Sequence, residues 1–171
     1  MSSGDAAAQA RPGSVQAEIR QRIPFRSPAE ESAVTLMRTA SVVGRAMARV
    51  IEPEGISVAQ YNVLRILRGA GAEGMPTLTV RERMIEEGAS ITRLMDKLEE
   101  AGYVRRARCR PDRRLVIAYL TDAGRQLLDR LDAPVLAASE RAMGTLAPGD
   151  MNALNALLDT IRSGLRSSGD E

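Results

Sequence analysis

From residue 27 onward, apolar residues recur at steps of three and four along most of this 171-residue chain, and one stretch there, residues 103–120, departs from that spacing. The pattern predicts helices on both sides of a single β-hairpin. Ser27-Pro28-Ala29-Glu30 reads as a capping box with proline at the first helical position. The helix it opens carries Ala33, Leu36, Met37, Ala40, Val43, Met47, Val50 and Ile51 on one face until Pro53 and Gly55 stop it. A second box, Ser57-Val58-Ala59-Gln60, opens a helix with Tyr61, Leu64 and Leu67, and a shorter helix is predicted over 77–85 with Val80 and Met84 inward. Ile91, Leu94, Met95 and Leu98 then repeat as i, i+3, i+4, i+7 up to Gly102.

Beyond Gly102, the runs 103–108 and 115–120 are β-prone and flank Cys109-Arg110-Pro111-Asp112, a turn composition. The 115–120 run alternates poorly, so its register is not readable. Thr121 caps a long helix bearing Leu127, Leu128, Leu131, Val135 and Leu136, in which Pro134 is expected to cause a kink or an interruption. Pro148 and Asp150 open a last helix. Residues 1–26 lack apolar periodicity and are expected to be a disordered tail. Residues 27–171 read as one domain, since its length suffices for a single core.

Between Tyr103 and Arg114 stand six arginines, Arg105, Arg106, Arg108, Arg110, Arg113 and Arg114, against one acid, Asp112. The formal net charge of the whole chain is only +2, so this local field is what implies a polyanionic partner. The face of the preceding helix opposite its apolar stripe carries Ala89, Ser90, Arg93, Asp96, Lys97 and Glu100. Small hydrogen-bonding residues at one end and charges further along suit entry into a major groove.

Much other chemistry lacks its usual players. There is no histidine and one cysteine, so no ordinary metal-ligand cluster, histidine base or internal disulfide is expected, and no cofactor is implied. No nucleophile–base spacing or phosphate-cradling glycine loop stands out, and the reading is not an enzyme. The apolar runs fall short of the roughly 18 residues of a membrane span, and a signal-peptide plan is missing, so a cytoplasmic protein is expected.

The run Ile91-Thr92-Arg93-Leu94-Met95-Asp96-Lys97-Leu98-Glu99-Glu100-Ala101-Gly102-Tyr103-Val104-Arg105-Arg106, then Pro111-Asp112-Arg113-Arg114, then Leu120-Thr121-Asp122-Ala123-Gly124, resembles the multiple-antibiotic-resistance regulator (MarR) family. The resemblance covers roughly 27–165. It implies a mainly α fold with a small β-hairpin wing: a winged helix-turn-helix lobe at about 57–120 and dimerisation helices at about 28–51 and 122–166. It implies a ligand-responsive homodimer, most simply a repressor, on double-stranded DNA, whose two-fold symmetry matches a pseudo-palindromic operator with half-sites about 34 to 36 Å apart. By the same resemblance Ala89, Ser90 and Arg93 face bases or nearby phosphates, Lys97 holds a phosphate, and Asp112 shapes the wing tip. Arg114 enters the minor groove, with Arg110 and Arg113 assisting, and Arg108 is a further DNA-binding candidate. Glu86 and Glu87 depart from the small polar or proline residues many relatives carry there.

A small-molecule effector is expected where the dimer helices meet the lobe, with Met37, Met47, Tyr61 and Arg65 as candidate lining residues. Two other readings remain open at this point. Cys109, between Arg108 and Arg110, could serve as an oxidant-sensing thiolate, and the helical faces could make a protein-interaction module without DNA.

Overall fold

A computed structural model of the protein describes residues 13–85, 88, 90–108 and 115–167. The chain divides into two units, 1–45 and 46–171. In the first, α1 (Val15–Glu18) is capped by Ser14, whose hydroxyl accepts the Ala17 N–H at 3.4 Å. Glu18 accepts two hydrogen bonds from the Arg38 guanidinium, at 2.5 and 2.8 Å, and Val15 is buried. Part of the segment expected to be a structureless tail is therefore a helical turn, held by contacts too distant in sequence to show as periodicity. Glu30 N–H donates to the Ser27 hydroxyl at 3.2 Å, but the Glu30 carboxylate accepts from Arg26 N–H at 2.6 Å, one residue before the position the capping box implies. The helix it opens, α2, spans Pro28–Ile51 and runs on into the second unit.

In the second unit a short 3-10 turn, Glu52–Glu54, ends α2. The Ser57–Gln60 box closes as predicted: Gln60 N–H donates to the serine hydroxyl at 3.2 Å, and Ser57 N–H to the Gln60 side chain at 2.8 Å. It opens α3 (Val58–Ala70), which buries Tyr61, Val63, Leu64 and Leu67. A two-residue strand, β1 (Met75–Pro76), follows, too short to show alternation. Gly74 precedes it with φ +65°, and a Cβ there would lie 2.6 Å from the Ala118 carbonyl oxygen, so glycine lets the chain close onto the sheet.

Helix α4 (Thr77–Glu82) is shorter than expected; past it, Ile85 N–H donates to the Asn62 side chain of α3 at 2.9 Å. Helix α5 (Ile91–Glu100) is followed by the hairpin β2 (Val104–Arg108) and β3 (Val116–Leu120), antiparallel in the register Val104↔Leu120 to Arg108↔Val116. The strand order is β1-β3-β2. Helix α6 (Asp122–Met143) passes through Pro134 without the expected interruption, because Leu127, Leu128 and Leu131 before the proline and Ala138 after it are all buried. Helix α7 (Pro148–Ser167) buries nothing within this chain. The core gathers Ile51, Leu64, Leu67, Val80, Met95, Leu98, Val104, Leu127 and Leu128 around α5 and the sheet.

Candidate nucleic-acid interface

Burial of Met95 and Leu98 fixes the rotation of α5, and that rotation leaves Ser90, Arg93 and Lys97 exposed. Ser90 sits at the N-cap, yet its hydroxyl makes no capping bond, unlike those of Ser57 and Thr121. It is therefore not committed to the helix. Among the described residues neither Arg93 nor Lys97 is ion-paired. One face of α5 thus offers a hydroxyl and two unneutralised cations.

The hairpin's arginines divide by what they touch. Arg105 is exposed, with its guanidinium 4.3 Å from the ring centroid of Tyr119, its directly opposed partner on β3. This is a cation–π contact that leaves its charge outward. Arg108 is exposed at the far end of β2. Arg106 turns inward: its Nε and Nη2 donate to Glu99 Oε2 at 2.9 and 2.7 Å, and Nη2 to Asp96 Oδ1 at 2.7 Å. These hydrogen bonds hold the Glu99 carboxyl below its ordinary range and push the Arg106 guanidinium up from its own. Sequence placed Arg106 with the other basic residues of the hairpin; the pairing spans a turn, and only the i, i+3 spacing of Asp96 and Glu99 hinted at it.

A second missed device ties the hairpin's base to α6. Thr121 caps α6 by accepting Gly124 N–H at 3.1 Å, donates its hydroxyl proton to the Gly102 carbonyl at 2.7 Å, and its N–H donates to Tyr103 O at 3.1 Å. A Cβ on Gly124 would lie 2.4 Å from that same Tyr103 oxygen. The end of α5 and the start of α6 are thereby held together with the wing between them. Ala89, Arg110, Asp112, Arg113 and Arg114, with Glu86, Glu87 and Cys109, lie outside the described residues.

The expected effector residues differ in burial. Tyr61 is buried, which raises its phenol pKa, and Arg65 lies exposed with its guanidinium 6.0 Å from the Tyr61 ring centroid. Met47 is half-buried, with its sulfur 3.9 Å from the Ser139 hydroxyl, whereas Met37 belongs to the first unit and is 66% exposed. Near Tyr61, Arg68 grips Asp132 of α6 with two bonds of 2.8 and 2.9 Å, which lower the Asp132 carboxyl pKa. A cavity of about 240 Å³ opens elsewhere, beside α5, lined by Thr77, Leu78, Thr92, Met95 and Arg106 among others. Among the described residues no cluster of His, Cys, Asp or Glu could hold a metal ion, and no helix is long and apolar enough to cross a membrane.

A helical lobe ending in a three-stranded antiparallel sheet, with an exposed basic helix face before the hairpin, defines a winged helix-turn-helix regulator of transcription. The MarR family model matches residues 56–116. The HTH-type transcriptional regulator TtmR of Methylorubrum extorquens is 32% identical over 124 residues, which span 72% of this chain and 60% of TtmR. The crystal structure of a MarR transcription factor from Planctomyces limnophilus aligns with a TM-score of 0.62 at 36% identity, covering 80% of this chain and 99% of that one. CouR from Rhodococcus jostii, solved bound to p-coumaroyl-CoA, aligns with a TM-score of 0.65 at 28% identity, covering 80% of this chain and 95% of CouR. The chain belongs to the MarR family.

Proposed function

We propose that this protein is a homodimeric, effector-released repressor that binds a pseudo-palindromic DNA operator in the cytoplasm and catalyses no reaction. The observation that carries the reading is the uncommitted face of α5: Ser90, Arg93 and Lys97 stand exposed beside a hairpin whose Arg105 and Arg108 also point to solvent. Ser90 and Arg93, with Ala89, read base edges; Lys97 and Arg108 hold phosphates; and Arg110, Asp112, Arg113 and Arg114 form the wing tip that meets the minor groove.

Dimerisation is supported by apolar side chains that this chain alone leaves in water. In α7, Leu157 is 64% and Leu165 71% exposed, and Leu36, Met37 and Val42 of α2 are exposed as well. Burying apolar surface of that kind drives association at roughly 25 cal/mol per Å² before the costs of binding. Segments 28–51 and 122–166 are the dimerisation helices, and 57–120 the DNA-binding lobe. Effector binding near Met47, Tyr61 and Arg65 changes the spacing of the two recognition helices. That CouR binds p-coumaroyl-CoA supports an organic effector for this chain. Selection of bound fragments from random duplex DNA, followed by release trials with small organic acids, tests the reading; recovery of a two-fold symmetric sequence is expected, and no enrichment contradicts it.

A further inference from the structure

Among the described arginines of the hairpin, Arg106 is the one whose guanidinium donates to carboxylates within the protein. Alternation along β2 leaves Val104 buried, Arg105 exposed and Arg106 half-buried, its side chain 25% exposed. β2 is an edge of the sheet, and among the described residues no strand lies on its outer side to take its outward N–H groups. Glu99 takes one of them: Arg106 N–H donates to Glu99 Oε1 at 2.8 Å, while the guanidinium holds Oε2 of the same carboxylate and Oδ1 of Asp96. Both carboxylates sit on α5, so main chain and side chain of one wing residue are fastened to the recognition helix at two points.

We propose that Arg106 is a positioning residue and not a DNA contact: it sets the angle between wing and recognition helix, and it offsets part of the charge of the two carboxylates that would otherwise stand near phosphate. This rests on the DNA-binding reading above. Turning Arg106 toward a phosphate would break charge-assisted, fork-shaped hydrogen bonds and leave Asp96 and Glu99 uncompensated beside a polyanion. Glu99 therefore promotes DNA binding despite its negative charge.

That sign separates the two roles. If Arg106 touched phosphate, Glu99→Gln would tighten DNA binding by removing repulsion, and Arg106→Gln would reduce the salt dependence of log K by about one phosphate contact. With Arg106 as a brace, Glu99→Gln and Arg106→Gln each weaken binding by about tenfold, the salt slope stays at its wild-type value, and the exchanged pair Glu99→Arg with Arg106→Glu regains part of the loss. Amide hydrogen exchange of the free proteins supplies a readout without DNA: faster exchange across 104–108 in Glu99→Gln supports the brace, and unchanged exchange overturns it. Tighter binding by Glu99→Gln, or a smaller slope in Arg106→Gln, also overturns it. Wild type that binds no duplex while Glu99→Gln still loosens 104–108 would instead count against the regulatory reading, and the positioning role would fall with it.

Discussion

Gly124 occupies a place where only a hydrogen fits, because a Cβ would press to 2.4 Å from the Tyr103 carbonyl oxygen. Gly124→Ala is expected to cost about 1 to 3 kcal/mol of stability as the turn is forced apart, measured by chemical denaturation; an unchanged midpoint would show that the hairpin base yields freely. Arg93 lies at the same scale but on the functional side: Arg93→Ala should lose about 1 to 3 kcal/mol of discrimination between operator and mismatched duplex with no change in melting temperature, since its side chain is exposed and without an ion pair among the described residues. Sequence made Arg93 and Lys97 readable, because the buried stripe of α5 dictates what faces away from it. It could not separate Arg106 from the other hairpin arginines, because a charge pair seven residues apart and across a turn has no periodic signature.

At the scale of elements, helix identities followed from spacing and caps, and the failures were failures of context. β3 alternates poorly because it lies between β1 and β2 and both of its faces are at least half-covered. β1 was invisible at two residues, and α6 survives Pro134 because buried residues on both sides keep its halves on one core. The α3–α6 junction makes a prediction of its own. Arg68 hydrogen bonds hold the Asp132 carboxyl below its ordinary range, so this pair contributes stability above the usual carboxylate pKa and loses it as pH falls through the lowered folded value. Asp132 is partly exposed, which limits its worth, and Asp132→Asn should lower the melting temperature at pH 7 by about 1–3 °C. The gap to wild type should begin to close below roughly pH 4 and go on narrowing as pH falls further; a gap that stays constant across that range would exclude the ion pair as its source.

At the scale of the whole molecule, the proposed repressor is a pair of chains. Helix α7 buries no residue within one chain, while its leucines at 154, 157 and 165 face solvent. Sedimentation is expected to give a dimer at micromolar concentration, and replacing Leu157 and Leu165 by Glu should give monomers with weakened operator binding. Class and lobe were legible from sequence because recognition helix, hairpin and helix cap follow one another in a fixed order. The proposed effector site was not, since Met47, Tyr61 and Arg65 serve the core and its surface as readily as a ligand would require. The most direct test of the central claim is the affinity for selected duplex DNA between 50 and 200 mM salt. With six or more phosphate contacts per dimer, affinity should fall by about a thousandfold or more across that range, whereas an affinity indifferent to salt, or no binding at low ionic strength, would contradict a basic helix and wing lying against DNA.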